Sequence, residues 1–586
     1  MIYFKKKFIF FVLIQFLITN SSYSLIDSSQ FQNNGKNTEI FKPIFGRNGI
    51  VVSEEEIATK VGIDILRQGG NAIDAAVAVG YALAVTLPEA GNIGGGGFMM
   101  IWLNKEKKAV NINYREKAPN QSSKNMFLDK NGEINNESVD TSHLSSGVPG
   151  TVYGLNFAQK KYGKLSLEQV MKPAIELAEN GFTINNALAN SLAESKSLLA
   201  SSTETKKIFF KNSEPKKEGD KLVQKDLAET LKLISKYGND GFYKGETAQK
   251  IIAEMRQNGG IISIKDLEDY NIEEQEPVYG KYRGYNIFSV PPPSSGGVTI
   301  IEMLNILENF ELNKYPLNSA KYYHLMNEVM SYAYFDRNNK LGDPNFVNNP
   351  IKTLTNKEYA YKLAKKINIS KHTTSDNIQK FGKKYSKFEE QNTTHFSIID
   401  SEGNMVGNTY TLNFSFGNGK VVKNAGFLLN NEMGDFTIKV GKPNSYGLVQ
   451  GEKNTISPNK RPLSSMSPTL VLNEKLEPIL ALGAPGGSRI ITQVFNFLVN
   501  YIDYNKNIAT SIAKPKFHSQ LWPDIFYYED GISPDTLEKL IKMGHNLKLN
   551  RSFGSLQVAE VQKLNQVYFG FSDPRSEGSA AIGLFQ

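Results

Sequence analysis

The sequence predicts an α+β protein, with a helix-rich first part followed by a strand-rich last part. Residues 150–380 have mostly helical patterns, for example at 167–180 and 227–237, and a Pro-rich strand-and-turn segment at 285–297 interrupts them. From Thr393 onwards the chain changes to strand-like segments that are separated by turn residues. The two patterns together indicate a mixed fold rather than an all-helical or all-strand one.

Two helices and a strand pair are predicted before this region. Residues 55–67 carry apolar side chains at helical spacing, and the pattern stops at a Gly–Gly pair. Residues 72–85 (AIDAAVAVGYALAV) are nearly all apolar but make only about four turns, which predicts a buried helix rather than a membrane span. Four glycines at 94–97 lead into a predicted strand at 98–102, whose partner is 110–114.

The composition excludes several kinds of site. The chain has 586 residues, six His and no Cys, so disulfides, thiolate zinc sites, iron–sulfur clusters and a cysteine nucleophile are ruled out. The histidines are scattered and form no H-E-x-x-H motif, and we predict neither a metal nor another cofactor. Covalent catalysis would therefore use Ser, Thr, Lys, Asp, Glu, His or Tyr.

Residues 1–24 have the pattern of a secretory signal peptide. A short basic segment, 1–7, precedes an apolar run, 8–18, and Ser22 and Ser24 supply the small residues of a cleavage site. The apolar run is too short to span a bilayer comfortably, so a retained anchor is the less favoured alternative. Export without cysteines predicts a bacterial periplasmic or secreted protein, with no stable membrane insertion after the signal is removed.

The basic balance of the chain gives little information about partners. The formal net charge is +8, and removal of the first 24 residues takes away three Lys and no acid, which leaves +5. The remaining Lys residues are interspersed with acids, as in 216–225. A solvated surface is therefore the favoured interpretation, and we predict no nucleic-acid partner.

A hairpin directly after a compositional boundary sets two threonines side by side. Residues 365–392 are rich in Lys, Ser, Thr, Asn and Gln, which is typical of an exposed, mobile segment, and 394–400 and 405–412 are strand-like. The intervening Ser-Glu-Gly suits a three-residue loop with a left-handed Gly. This register places Thr393 opposite Thr411, with side chains roughly 5 Å apart. On geometry alone, an ordinary cross-strand Thr pair is the favoured interpretation.

Short runs along nearly the whole mature chain resemble the γ-glutamyltranspeptidases. Each run is weak evidence alone, but the ordered set is specific. In the first half these runs are 71–76 (NAIDAA), 91–98 (GNIGGGGF) and 114–116 (YRE). In the second half they are 392–397 (NTTHFS), 409–413 (TYTLN), 428–436 (LLNNEMGDF), 458–469 (PNKRPLSSMSPT), 483–490 (GAPGGSRI) and 572–575 (SDPR).

The resemblance implies the four-layer αββα sandwich of the N-terminal-nucleophile hydrolases and a precursor that cleaves itself. Here it implies scission between Asn392 and Thr393, at the compositional boundary. The chain would then comprise a signal peptide (1–24), a heavy subunit (25–392) and a light subunit (393–586). Both subunits would form one αββα domain, in place of the roughly four domains that length alone suggests.

The resemblance also implies a catalytic role for four residues. Thr393 would be the nucleophile, and its freed α-amine, with an unperturbed pKa near 8, would be the base. Thr411 would orient the Thr393 hydroxyl. The backbone N–H groups of Gly486 and Gly487 would form the oxyanion hole, although alone such a pair is more often a simple turn.

A second set of residues is implied to bind the substrate by complementary charge. The set comprises Arg115, Ser464 and Ser465 for an α-carboxylate, Asn413, Glu432 and Asp435 for an α-ammonium, and Tyr446 in a lid with Pro443 and Gly447. Without the resemblance, an Arg in Y-R-E is more often a surface ion pair, and the two acids are more often part of a solvated loop. Gly434 departs from the family, in which an acid is common at this position.

The function that the resemblance implies is γ-glutamyl transfer and glutathione hydrolysis. Thr393 would form a γ-glutamyl acyl-enzyme, which water or an amino acid or peptide acceptor would resolve. The expected partners are therefore glutathione, other γ-glutamyl compounds, and amino acid or dipeptide acceptors. One alternative is a related exported amidase, such as a cephalosporin acylase or a poly-γ-glutamate depolymerase, and another is a non-enzymatic, unprocessed binding protein of the envelope. Arg115, the Ser464–Ser465 pair and the lid favour the transferase.

Overall fold

Two seven-stranded antiparallel sheets form the centre of the computed structural model, which describes residues 40–378, 393–551, 553–562 and 567–585. The predicted signal peptide and Asn392 lie outside these residues. Sheet I consists, in spatial order, of Ile44–Gly46, Val567–Ser572, Gln557–Gln562, Pro478–Gly483, Thr469–Leu472, Tyr285–Ser289 and Val278–Tyr282. Sheet II consists of Ala580–Leu584, Gly49–Ser53, Thr393–Asp400, Met405–Thr411, Gly96–Leu103, Lys108–Tyr114 and Glu273–Gln275.

The two sheets pack against each other through alternate residues of their strands. In the strand Gly49–Ser53, Ile50 and Val52 belong to the core between the sheets, whereas Val51 belongs to the core on the outer face of sheet II. Successive side chains of a strand point to opposite faces, so a strand buried on both faces needs an apolar residue at nearly every position. Both sheets take strands from before and after residue 393.

Helices cover the outer face of each sheet, which completes four αββα layers. The predicted buried helix is Ala72–Thr86, every residue of which is buried; it begins with a capping box between Asn71 and Asp74. The layer on sheet II comprises Glu56–Arg67, Ala72–Thr86, Thr151–Tyr162, Leu167–Asn180, Asn186–Glu194, Lys196–Ala200, Thr203–Phe209, Lys225–Tyr237, Asp240–Tyr243, Gly245–Asn258 and Ile264–Glu268. The layer on sheet I comprises Gly296–Leu307, Ala320–Lys340, Ile351–Leu354, Lys357–Ala364, Ser375–Ile378, Arg489–Ile502, Ile508–Ala513 and Pro534–Lys542.

The remaining elements are short and lie in the connections. They are the helix Asn136–Asp140; the 3-10 turns His143–Ser145, Leu312–Lys314, Glu432–Asp435 and Glu452–Asn454; the small sheet Phe517–His518, Phe526–Tyr528 and Leu547–Leu549; and the strand pairs Phe182–Thr183 with Lys221–Leu222 and Phe210–Lys211 with Glu214–Pro215. Among the residues described, no helix combines the length and apolar character needed to cross a membrane.

The predicted hairpin occupies the middle of sheet II, and its register is confirmed. Thr393 pairs with Thr411, and Gly403 in the connecting loop has a φ of 81°, the left-handed conformation expected there. The strand Gly49–Ser53 pairs with one side of the hairpin and Gly96–Leu103 with the other. Thr393 is held at the end of its strand by its pairing with Thr411, which is itself paired with Gly96 on its other side.

The described part of the segment predicted to be exposed and mobile, 365–378, is mostly exposed, but two of its polar side chains are buried and attach it to the fold. His372 and Ser375 are buried there. The His372 ring lies between Glu328 Oε1 and Asp524 Oδ1, at 2.7 and 2.9 Å, and Ser375 N donates to Asp524 Oδ2 at 3.0 Å. The polar composition therefore combines an exposed surface with a hydrogen-bonded attachment at His372 and Ser375.

Candidate active site

A small cavity lies at the Thr393 end of the hairpin, and its walls carry most of the predicted site residues. The predicted residues that line it are Arg115, Thr393, Thr411, Asn413, Glu432, Asp435, Tyr446, Ser464, Ser465 and Gly487. Gly486 lines an adjoining cleft instead. Lining residues that the sequence did not indicate are Arg337, Asn444, Leu448, Leu463, Met466, Ser488 and Ile490.

The two threonines meet at the floor of this cavity. Their Oγ1 atoms lie 3.3 Å apart, and Thr393 is buried. The backbone N–H of Asn413 donates to Thr411 Oγ1 at 2.9 Å, which fixes the Thr411 hydroxyl oxygen beside Thr393. Asn413 adopts a φ of 81°, a conformation that Asn tolerates better than most residues, and this turn brings its own side chain into the cavity wall.

The histidine closest in sequence to Thr393 belongs to the core rather than to the cavity. His395 is fully buried; its ring nitrogens contact Thr409 Oγ1 at 2.7 Å and Ser397 Oγ at 2.9 Å. Burial lowers the pKa of His395 to about 3, so the ring stays neutral at ordinary pH. Because both nitrogens are engaged, His395 is poorly suited to take a proton from the Thr393 hydroxyl.

The Gly486–Gly487 pair forms a turn that no other residue type would easily form. Both residues have positive φ values, 119° and 55°, and a Cβ on Gly486 would lie 2.7 Å from the carbonyl oxygen of Phe553. The turn leads directly into the helix Arg489–Ile502. Within the described chain, the N–H groups of the two glycines donate to no protein acceptor. The two N–H groups therefore lie near the positive end of the helix dipole and are free to donate hydrogen bonds to an anion.

Arg115 follows the strand Lys108–Tyr114 and is surrounded by carboxyl groups. Its Nη1 lies 2.6 Å from Glu432 Oε1 and 3.5 Å from Glu116 Oε2, and its Nη2 contacts Asp435 Oδ2. Burial alone would lower the pKa of Arg115, but the neighbouring acids raise it above its ordinary value. Burial raises the pKa of Glu432 well above the ordinary range and that of Glu116 to about 7.

Ser464 and Ser465 form the opposite wall and are held by the Pro-rich segment predicted at 285–297. Ser464 N donates to Pro293 O at 2.8 Å, and Ser464 O accepts from Ser295 N at 2.9 Å. Ser464 Oγ accepts from Met466 N at 3.0 Å, and Ser465 Oγ accepts from Arg337 Nη2 at 2.9 Å. Both hydroxyl groups therefore have fixed oxygen positions and a hydrogen that remains available to a ligand.

The predicted lid residues Pro443, Tyr446 and Gly447 belong to the loop 437–455, which we call the lid; Asn444, Tyr446 and Leu448 of this loop line the cavity. Its base is joined by a hydrogen bond of 2.8 Å from Thr437 N to Asn454 O. Its tip is a tight turn in which Asn444 Oδ1 accepts from Tyr446 N and Leu448 N, both at 3.0 Å. The Tyr446 hydroxyl contacts Asn413 Oδ1, so the lid reaches the residue that follows the Thr393 hairpin.

Of the cavity residues that sequence reasoning missed, Arg337 is the one that carries a charge. It lies near the end of the helix Ala320–Lys340 and its side chain is 1% exposed. In the sequence it stands before Asn338, Asn339 and Lys340, which is the ordinary composition of a solvated helix end. Its guanidinium reaches the cavity through tertiary contacts with Gln450 and Ser465, and no local pattern in the sequence signals these contacts.

The fold is shared with a solved cephalosporin acylase from Bacillus halodurans, at a TM-score of 0.81 over 94% of this chain and 98% of that one. At 24% identity, this likeness concerns the fold alone. The four layers, with Thr393 at the start of a central strand, are the αββα architecture of the N-terminal-nucleophile hydrolases. The predicted fold class is therefore confirmed.

The particular family follows from the sequence comparisons. Residues 58–583 match the gamma-glutamyltranspeptidase family model. The glutathione hydrolase proenzyme of Escherichia coli (strain K12) is 48% identical over 550 residues, which are 94% of each chain. The solved Helicobacter pylori gamma-glutamyltranspeptidase is 44% identical, with a TM-score of 0.54, over 56% of this chain and 93% of that one. The chain belongs to the γ-glutamyltranspeptidase family. Because the members of this family are enzymes, the membership supports the predicted transferase over a non-enzymatic binding protein.

Proposed function

We propose that this chain is a self-processing γ-glutamyltransferase and glutathione hydrolase whose nucleophile is Thr393. The observation that carries the proposal is the position of Thr393, which begins a fixed strand, lies 3.3 Å from the Thr411 hydroxyl and opens into a cavity of paired opposite charges. The relatives named as glutathione hydrolase proenzymes support glutathione as a donor and a precursor form of the chain.

Maturation, in this proposal, creates the catalytic base. Cleavage between Asn392 and Thr393 would free the α-amine of Thr393, whose unperturbed pKa near 8 lets it accept a proton near neutral pH. The heavy subunit, 25–392, and the light subunit, 393–586, would stay associated, because strands from both contribute to each sheet. An intact chain would lack this base, so cleavage would switch the activity on.

The reaction then proceeds as an acyl transfer. The α-amine takes the hydroxyl proton while Thr393 Oγ1 attacks the γ-carbonyl carbon of the donor. The N–H groups of Gly486 and Gly487 bind the resulting oxyanion, and Thr411 holds the nucleophile in place. Collapse of the tetrahedral intermediate breaks the amide C–N bond, and the protonated α-amine returns its proton to the leaving amine. Water or an acceptor amine attacks the remaining ester, releasing glutamate or a new γ-glutamyl amide and restoring the Thr393 hydroxyl.

The cavity walls support recognition of the glutamyl head group, which carries a carboxylate and an ammonium on one carbon. Arg115 and the hydroxyls of Ser464 and Ser465 would bind the carboxylate, whereas Glu432 and Asp435 would bind the ammonium. The side-chain oxygen of Asn413 would join these acids. Tyr446, which contacts that oxygen, would close the lid over the bound donor and limit the site to small γ-glutamyl compounds.

We further infer that the protein is exported to the periplasm or secreted and loses residues 1–24. The signal-like sequence supports this inference. The acceptors would be amino acids or dipeptides, since the acyl-enzyme requires only an amine with access to the cavity.

The proposal is tested with purified wild-type protein and Thr393→Ala. On a denaturing gel, the wild type should give two fragments, and the mass of the smaller one should correspond to a chain that begins at Thr393. Thr393→Ala should remain a single chain. Only the wild type should release glutamate from glutathione, and a dipeptide acceptor should divert part of the product into γ-glutamyl peptide. An intact wild-type chain without activity on glutathione, glutamine or a chromogenic γ-glutamyl amide would refute the proposal.

A further inference from the structure

The two arginines of the cavity are in different electrostatic states. Arg115 contacts three carboxyl groups, so its charge is neutralised within the protein. Arg337 is equally buried, but its partners are neutral: Asn338 Oδ1 and Gln450 Oε1, both at 3.0 Å, and Ser465 Oγ at 2.9 Å. Within the described residues it forms no ion pair, and its Nε has no hydrogen-bond acceptor.

An unpaired guanidinium in this position is costly for the empty protein. Removing a charge from water is unfavourable unless an opposite charge or a full set of hydrogen bonds replaces the solvent. Burial lowers the pKa of Arg337 to about 10, which reflects this cost but leaves the group charged at neutral pH. An anion bound in the cavity would compensate the buried positive charge of Arg337.

One acid of the same cavity also has an atom without a hydrogen-bond partner. Glu432 Oε2 is buried and has no hydrogen-bond partner within the described residues. Among the residues that line the cavity, one acid therefore has an unsatisfied acceptor and one cation has an unsatisfied donor. Such a pair suits a ligand that carries an ammonium and a carboxylate on one carbon, as an α-amino acid head group does.

Ser465 connects Arg337 to the position where that carboxylate would lie. Its oxygen accepts from Arg337 Nη2, so its own hydrogen cannot point back at the guanidinium. Both residues line the cavity together with Thr393. Because this hydroxyl is already oriented before a ligand binds, its hydrogen bond to the ligand costs little rotational entropy. The Arg337 guanidinium that donates to the Ser465 oxygen also makes the hydroxyl a stronger donor.

We propose that Arg337 is a positioning and specificity residue for the donor α-carboxylate and that it acts through the Ser465 hydroxyl. Its guanidinium also supplies positive charge to the site, because the charge of Arg115 is paired with Glu432 and Asp435. This inference rests on the proposed γ-glutamyl chemistry. It makes selection for the carboxylate a property of two arginines, of which only Arg115 belongs to a motif of the sequence.

A purely structural role for Arg337 makes a different prediction. The residue also joins the helix Ala320–Lys340 to Gln450 of the lid, so its loss could simply loosen the site. Loosening would lower the activity on every donor by a similar factor. Loss of a carboxylate receptor would lower only the activity on donors that carry the carboxylate.

The test compares two chromogenic donors, a γ-glutamyl anilide and the corresponding 4-aminobutanoyl anilide, which differs only by lacking the α-carboxylate. The enzymes are the wild type, Arg337→Met and Arg337→Lys, each first checked for two-fragment processing. We expect Arg337→Met to raise KM for the γ-glutamyl anilide about 10- to 100-fold, with a smaller change in kcat. Its kcat/KM for the 4-aminobutanoyl anilide should change less than about threefold. Arg337→Lys, which keeps the charge, should recover part of the discrimination.

Two further variants make the outcome decisive. Arg461 is a buried arginine outside the cavity that pairs with Glu273 at 2.9 Å, so Arg461→Met should affect both donors equally. In a Ser465→Ala background, Arg337→Met should have a smaller effect on donor preference than in the wild type. An unchanged donor preference in Arg337→Met would overturn the inference.

If Arg337→Met is not processed, the two donors are compared in Arg337→Lys. A lysine keeps the charge but cannot reproduce the guanidinium fork that holds Ser465, so part of the donor preference should be lost. An unchanged donor preference in Arg337→Lys would then overturn the inference. A wild type that is inactive on both anilides and on glutathione would instead refute the proposed function.

Discussion

Thr393 and Thr411 are directly opposed on neighbouring antiparallel strands, and their hydroxyl oxygens lie 3.3 Å apart at the floor of the cavity. A Thr side chain has few χ1 rotamers, and a hydrogen-bonded partner selects among those that remain at small cost. Thr411 is itself fixed by the N–H of Asn413, at 2.9 Å. The pair therefore transmits the rigidity of sheet II to the proposed nucleophile.

We expect Thr411→Ala to reduce kcat by roughly tenfold or more with a smaller change in KM, since one hydrogen bond to the nucleophile is worth about 1–2 kcal/mol. The measurement is steady-state release of the chromophore from a γ-glutamyl anilide. Thr411→Ser keeps the hydroxyl and is the matched control, so it should stay close to the wild type. Equal losses in both variants would show that the methyl group, not the hydrogen bond, is required.

The acids beside Arg115 make a second prediction, which concerns the donor ammonium. Asp435 contacts Arg115 and lines the cavity. Asp435→Asn keeps the shape but removes a negative charge, so we expect KM for a γ-glutamyl anilide to rise about 10- to 100-fold. A glutaryl anilide, which lacks the ammonium, should be hydrolysed by the variant about as well as by the wild type. A similar loss on both anilides would argue against ammonium recognition.

A third prediction concerns the turn that would bind the oxyanion. Gly486 has a φ of 119°, and an added Cβ would lie 2.7 Å from Phe553 O, so Gly486→Ala must displace the backbone. Misplacing one oxyanion donor costs on the order of 100-fold in kcat, so we expect a loss of at least that size. Gly531→Ala is the control: this glycine has a φ of 101°, outside the cavity, and its substitution carries similar backbone strain. It should lower thermal stability without a comparable loss of kcat.

The sequence predicts those parts of this site that depend on local geometry. The pairing of Thr393 with Thr411 followed from a three-residue loop whose last residue, Gly403, has the required left-handed conformation. Alternation of side chains then fixed which residues share a face. The meeting of Arg115, Glu432 and Ser465 in one cavity could be anticipated only from the resemblance, because residues so far apart in the chain are brought together by the packing of loops.

Other contacts could not be anticipated because they depend on tertiary packing alone. Arg337 stands in a polar helix end and became a cavity residue through helix packing. Three of the six histidines, His324, His372 and His545, are far apart in the sequence but meet in the structure. Their neighbours Glu328 and Asp524 come from opposite sides of residue 393, and neither spacing nor composition indicates this group.

This histidine group makes a fourth prediction, which concerns stability and pH. Burial alone would lower the pKa of His372, but Asp524 and Glu328 raise it to about 9, well above its ordinary value of 6.5. A base whose folded pKa is raised stabilises the fold fully below pH 6.5, and this contribution is lost as the pH rises from 6.5 to 9. His324 and His545 have lowered pKa values, so their contributions run in the opposite direction and must be separated by mutation.

The experiment measures the free energy of unfolding by urea in Thr393→Ala, in which we expect the chain to stay in one piece, with and without His372→Gln. At pH 6 we expect His372→Gln to lower the stability on the order of 2–3 kcal/mol, and the difference should largely vanish by pH 9.5. Asp524→Asn removes one of the two carboxylates that hold the charged ring, so it should reproduce part of this pH dependence. A difference that is the same at both pH values would mean that His372 is neutral in the folded protein and that its contacts with Glu328 and Asp524 act as ordinary hydrogen bonds.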